Sequence, residues 1–80
     1  MKTPRDVSGI AIIKCLKVYG YVIVRQNGSH ITITTTQNGE HHLTIPNHNP
    51  IKVGTLNCII SNVANHFNVS KEKVLQELFG

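Results

Sequence analysis

The run Arg25-Gln26-Asn27-Gly28-Ser29-His30 places a guanidinium and an imidazole five residues apart, with a glycine turn between them. Histidine titrates near pH 6.5, so it takes and returns protons under physiological conditions. Arginine is a permanent cation that steadies charge developing on phosphate oxygens. Together they suit attack by a ribose 2′-hydroxyl on its own phosphodiester, with His30 removing the proton and Arg25 holding the phosphorane charge. A cationic neighbour also favours the neutral, basic form of the imidazole. Such chemistry needs neither a metal nor a deep pocket. The plain alternative is an ordinary surface histidine, because single residues rarely reveal chemistry.

The chain has four other histidines. His42 is expected on the same face as His30, but four residues or roughly 13 Å along the strands, too far for direct cooperation. His48 follows Pro46, which sits across from His30, and is a candidate second acid; the alternative is a solvated loop histidine. His41 is expected on the core side and His66 at a helix end, neither with a role. No carboxylate or cysteine accompanies these histidines at metal-ligand spacing, so no metal site is expected. Among the scattered cations, Lys52 is the better phosphate candidate, since it stands just ahead of a helix expected to begin near Thr55. The remaining cations (Lys2 and Arg5 among them) read as solubilising charge.

These residues must be held by local structure. Residues 1–7 form a polar lead-in. Ser8 caps a first helix and Gly20 closes it, with Ile12, Ile13, Leu16 and Tyr19 as the apolar stripe and Lys14 and Lys17 in water. Tyr21 to Gln26 alternates and is rich in β-branched residues, a strand. Asn27-Gly28 signals a two-residue type I′ turn. That loop pairs Arg25 with His30, Val24 with Ile31 and Val22 with Ile33, making Val22, Val24, Ile31 and Ile33 one apolar face. A three-residue loop at Gln37-Asn38-Gly39, with Gly39 left-handed, then pairs Ile33 with Leu43 and Ile31 with Ile45. The two-residue alternative would put Leu43 on the polar face. That face carries His30, Thr32, Thr34, His42 and Thr44. Pro46 ends the third strand. A second helix near Gly54-Thr55 buries Leu56, Ile59, Ile60, Val63 and Ala64, and Asn65 to Val69 breaks it. Ser70 caps a short last helix with Val74, Leu75 and Leu78 inward.

The order α-β-β-β-α-α predicts an α+β domain, a three-stranded antiparallel sheet with the helices on one face and the other face in water. Eighty residues make a single domain (1–80), too small for an enclosed cofactor pocket; no cofactor is expected. A net charge of +4 and a pI near 9.4 favour a polyanionic partner such as nucleic acid. No apolar run approaches the roughly 18 residues of a membrane span, and no signal peptide is evident, so the expected compartment is the cytoplasm. Cys15 and Cys58 read as buried helical thiols.

Arg25-Gln26-x-Gly28-Ser29-His30 after a helix ending in Gly20-Tyr21, followed by Thr44-Ile45-Pro46 and then Lys52-x-Gly54-Thr55-Leu56 opening a helix, resembles the HicA (YcfA-like) family of bacterial mRNA interferase toxins. The similarity spans roughly residues 7–78. It implies the double-stranded-RNA-binding-domain type of α-β-β-β-α sandwich, with a short extra C-terminal helix. It also implies RNA cleavage with His30 as the catalytic residue, and a HicB-like antitoxin as partner. Arg25, Gly28, Ser29, Lys52 and Thr55, with His48, are the candidates for RNA binding or transition-state support. Many relatives carry lysine where this chain has Asn27 and a second histidine where it has Ile31. Relatives also have a shorter link than Asn65 to Val69 between the last two helices. Two rivals stand beside the toxin reading. One is a non-catalytic double-stranded-RNA-binding module, which needs a lysine cluster at the last helix where this chain has only Lys52. The other is a degenerate toxin kept as a protein-binding partner.

Overall fold

Helix α1 (Gly9–Leu16) opens where Ser8 caps it: the serine hydroxyl oxygen accepts the Ala11 N–H at 3.1 Å, satisfying one donor that a helix start leaves free. The computed structural model describes residues 4–80, so Lys2 and the first three residues of the lead-in lie outside the described residues. A 3₁₀ turn, Lys17–Tyr19, extends α1 to Gly20, which is left-handed as expected. Strands β1 (Val22–Asn27), β2 (His30–Thr35) and β3 (His41–Pro46) form an antiparallel sheet in the order β1-β2-β3. Helices α2 (Val53–Phe67) and α3 (Lys71–Phe79) follow, and Ser70 caps α3 by accepting the Lys73 N–H at 3.1 Å. This is the expected α+β order, α-β-β-β-α with an added C-terminal helix.

One face of the sheet carries the core. Ile31, Ile33, Leu43 and Ile45 are buried there together with Ile12, Ile13 and Leu16 of α1, the five-residue stripe of α2, and Val74, Leu75 and Leu78 of α3. Full burial of such a side chain contributes about 1.5–3 kcal/mol of transfer free energy. The molecule is 17 Å through its thinnest direction, the depth of one sheet and one helix layer. Ile33 stands opposite Leu43 and Ile31 opposite Ile45, and both Asn38 and Gly39 are left-handed in the turn between β2 and β3. The second hairpin is therefore as the hydrophobic pattern required.

The first hairpin is not. Ile23 faces Ile33, Arg25 faces Thr32, Gln26 faces Ile31 and Asn27 faces His30, with a bulge between Ile23 and Arg25. Val22 and Val24 do not join Ile31 and Ile33 in the core; every residue of β1 is exposed. The reason lies in the helix layer, which packs α1 and α2 against β3 and leaves β1 uncovered. With no buried face to satisfy, the register of β1 is weakly specified by its apolar residues, and the turn and bulge decide it.

Two further corrections concern the helices. Helix α2 runs on to Phe67 and closes on a left-handed Asn68, so the break is shorter than the expected Asn65 to Val69. Phe67 is drawn into the helix by its contacts with Tyr19, 4.7 Å between ring centres, and the Val69 N–H donates back to the Ala64 carbonyl at 3.0 Å. Cys58 is exposed, on the side of α2 away from the apolar stripe, and Cys15 is only half-buried; both are free thiols.

Candidate active site

The turn that presents His30 is Gly28-Ser29, one residue later than the Asn27-Gly28 turn expected. Gly28 has φ of +64°, while Asn27 and Ser29 are not left-handed. That matches a type II′ turn, which takes glycine at its first central position. A Cβ on Gly28 would meet nothing within 4 Å, so the turn projects clear of the fold and its backbone is open to approach. On the other side the turn is tied down. The Asn47 N–H donates to the Ser29 carbonyl at 2.6 Å, extending the β2–β3 ladder past Pro46.

Opposite residues share a face, so the polar face can be read as three rungs across the sheet. Asn27, His30 and Pro46 form the first; Arg25, Thr32 and Thr44 the second; Val22, Thr34 and His42 the third. Arg25 is thus not across from His30, as expected, but diagonal to it on the same face. The bulge keeps it there: continuing the Ile23–Ile33 pairing without it would set Arg25 against Ile31, on the core face. Diagonal neighbours in a sheet lie roughly 7–8 Å apart, a gap an arginine side chain spans. His30 is exposed, and its side chain has no hydrogen-bond partner among the described residues. The described residues enclose no pocket: the site is an open surface.

The other candidates sit elsewhere. His48 is exposed, and its carbonyl accepts the Gly9 N–H at 2.9 Å, which anchors its backbone to the start of α1. Gly9 approaches so closely that a Cβ there would collide with the Pro46 carbonyl, so this corner admits only glycine. Lys52 is exposed at the N-cap position of α2 and Thr55 is half-buried in its first turn. No hydrogen bond or ion pair joins either to Arg25 or His30 among the described residues. His42 occupies the third rung and pairs with Glu40 at 2.6 Å, a partner that fixes it away from His30. Among the described residues no three His, Cys, Asp or Glu side chains gather as metal ligands.

Sequence reasoning gave His41 and His66 no role, and the structure joins them. Their rings stack at 4.4 Å between centres and 10° between planes. The His66 Nε2–H donates to the carbonyls of Gln37 and Gly39 at 2.9 and 3.0 Å, and Asn38 donates to the His66 carbonyl at 2.8 Å. Burial pushes the Tyr21 phenol up to about 12, so it stays protonated, and its hydroxyl is hydrogen-bonded to His41 Nδ1 at 2.7 Å. The cluster locks the β2–β3 turn to the end of α2. Nothing in the spacing of residues 21, 41 and 66 announces it, since three separate elements must meet. Asn27 was also missed as the residue facing His30. Reading Gly28-Ser29 as a turn of the glycine-first type would have found it.

A family model described as the HicA toxin of bacterial toxin-antitoxin matches residues 11–64, more than half of the chain and all three strands. No curated protein and no solved structure matches.

Proposed function

The chain belongs to the HicA toxin family, whose members are the toxins of bacterial toxin–antitoxin systems with ribonuclease-type activity and an antitoxin partner, and from that premise we propose that it is a metal-independent endoribonuclease cleaving mRNA through His30. The observation that carries this reading is the exposed imidazole on an open polar face, unpartnered and diagonal to Arg25. His30 accepts the proton of the ribose 2′-hydroxyl. The freed oxygen attacks the adjacent phosphorus, and Arg25 takes up the charge of the phosphorane. The bond from phosphorus to the 5′-oxygen then breaks, and the imidazolium returns its proton to that oxygen. The products are a 2′,3′-cyclic phosphate and a 5′-hydroxyl. Gly28 and Ser29 supply backbone close to the scissile group, while Lys52 and Thr55 at the start of α2, with His48, bind the RNA strand farther along. The site of action is the cytoplasm; no described helix is long and apolar enough to cross a membrane.

The inhibiting partner is a HicB-like antitoxin that covers the polar face, since an active residue on an open surface is shut off only by covering it. The chemistry is tested with a defined RNA. Cleavage in excess chelator, cyclic-phosphate ends, and resistance of a substrate with 2′-deoxyribose at the scissile nucleotide are the expected results. Cleavage of the 2′-deoxy substrate, or full inactivation by chelator, overturns the mechanism.

A further inference from the structure

The two edges of the sheet are finished differently. On β3 the side chains are either buried in the core, as Leu43 and Ile45 are, or polar, and Pro46 at its end has no N–H to offer. On β1 the backbone row facing away from β2 is unpaired, and three consecutive apolar residues stand more than half exposed: Val22 at 55%, Ile23 at 53% and Val24 at 53%. The bulge spreads them over both faces, with Val22 on the polar side across from Thr34 and Ile23 on the core side across from Ile33. Open edges of this kind are normally blunted by charge, proline or a covering element. Here Arg25 is the one charge on the strand.

We propose that β1 is the docking edge for the inhibiting partner, which adds a short strand of its own along Val22–Gln26 and buries the Val22-Ile23-Val24 side chains; the proposal rests on the toxin–antitoxin reading above. In strand addition, backbone hydrogen bonds supply affinity and pockets for alternate side chains supply register. The occupant is an acidic protein and not a second copy of this chain. Residues 7–39 hold Lys14, Lys17 and Arg25 and no carboxylate, within a chain of net charge +4. A second copy brings the same cations to the same edge, whereas an acidic strand sets a carboxylate against Arg25 and associates faster through charge steering. The location also explains inhibition. Asn27 at the end of β1 faces His30 directly, so a partner hung on this edge is anchored next to the polar face, extends over it and closes it to RNA.

The test uses the protein encoded by the reading frame adjoining this chain's own, titrated against wild type, Ile23→Lys and Val24→Lys. Lysine removes the apolar anchor without repelling an acidic partner, so any loss reports the anchor. Both positions are exposed, and unchanged thermal midpoints confirm intact folds. Expected are at least tenfold weaker binding by each variant, wild-type RNA cleavage by each free variant, and slowed amide exchange at residues 22–26 in the wild-type complex. Wild-type affinity in either variant, or unprotected residues 22–26 in the complex, overturns the proposal. So does failure of wild type to bind that protein, and so does a concentration-dependent dimer of the free chain with those amides protected, which would seat a second copy on the edge. Binding through β1 by a chain that cleaves no RNA would leave this proposal standing and remove the ribonuclease reading instead.

Discussion

At one end of β2, His30 stands in water on an open face, with Asn27 across from it and Arg25 on the diagonal. Beyond the other end, His41 and His66 lie ring on ring, held by the Tyr21 hydroxyl and by the carbonyls of Gln37 and Gly39. The same side-chain type stands in two opposite environments within one small sheet. A histidine with a ring nitrogen bonded to protein partners and its ring stacked on another stabilises the fold. A histidine with free nitrogens contributes nothing to stability and is available to a substrate. Partnering separates the two roles; position in the sequence does not.

The comparison breaks most sharply under substitution. His30→Ala is expected to lower RNA cleavage by about 10²–10⁴-fold, the usual contribution of a general acid/base. Its stability should stay within about 0.5 kcal/mol of wild type, because an exposed, unpartnered side chain is lost. Single-turnover cleavage and thermal unfolding on the same preparation check this, and an active His30→Ala chain would remove the residue from the mechanism.

His66→Ala should do the reverse. Two hydrogen bonds to the turn and the stack on His41 are lost, which costs about 1–3 kcal/mol. Amide exchange should accelerate at residues 36–40, while the folded fraction keeps its cleavage rate. A cleavage defect without a stability defect would mean that the closed end of the sheet takes part in catalysis.

The smallest effect is a pH dependence belonging to the closed end alone. His41 is held below its ordinary value of 6.5, first by burial, then by the nearby His66 and His42. Its folded state therefore binds the proton less readily than the unfolded chain does. The stability it supports is full above pH 6.5 and declines as the pH falls below it. Thermal midpoints measured down through this range should drop, and His41→Gln should flatten the decline. An unchanged slope in His41→Gln would assign the pH dependence to other groups.

Much of this molecule was legible from residue order. Ser8 and Ser70 announced their helices through the physics of unsatisfied N–H groups, and the stripe of α2 followed from helical spacing. The register of β2 against β3 followed because both strands press an apolar face on the helices, so only one pairing avoids burying polar groups or exposing Leu43. His30 could likewise be placed on the polar face, since its alternation with Ile31 and Ile33 is fixed by the same burial. The sequence therefore determined the apolar faces of β2, β3 and the helices, and it placed His30 in water.

Only the tertiary structure decided the rest. Alternation in β1 reads as a buried face, but a helix layer built from a chain this short rests against β3 and leaves β1 bare. Whether a strand's apolar residues are buried depends on what lies over them, and a local pattern carries no information about cover. That one fact moved Arg25 from beside His30 to its diagonal, placed Asn27 across from it, and left Val22, Ile23 and Val24 exposed at an open edge. The stacked pair of His41 and His66, 25 positions apart, exists only because a strand start and a helix end are brought to one place by the core between them. Local propensity and periodicity act over a few residues, whereas cover and long-range pairing are properties of the packed whole.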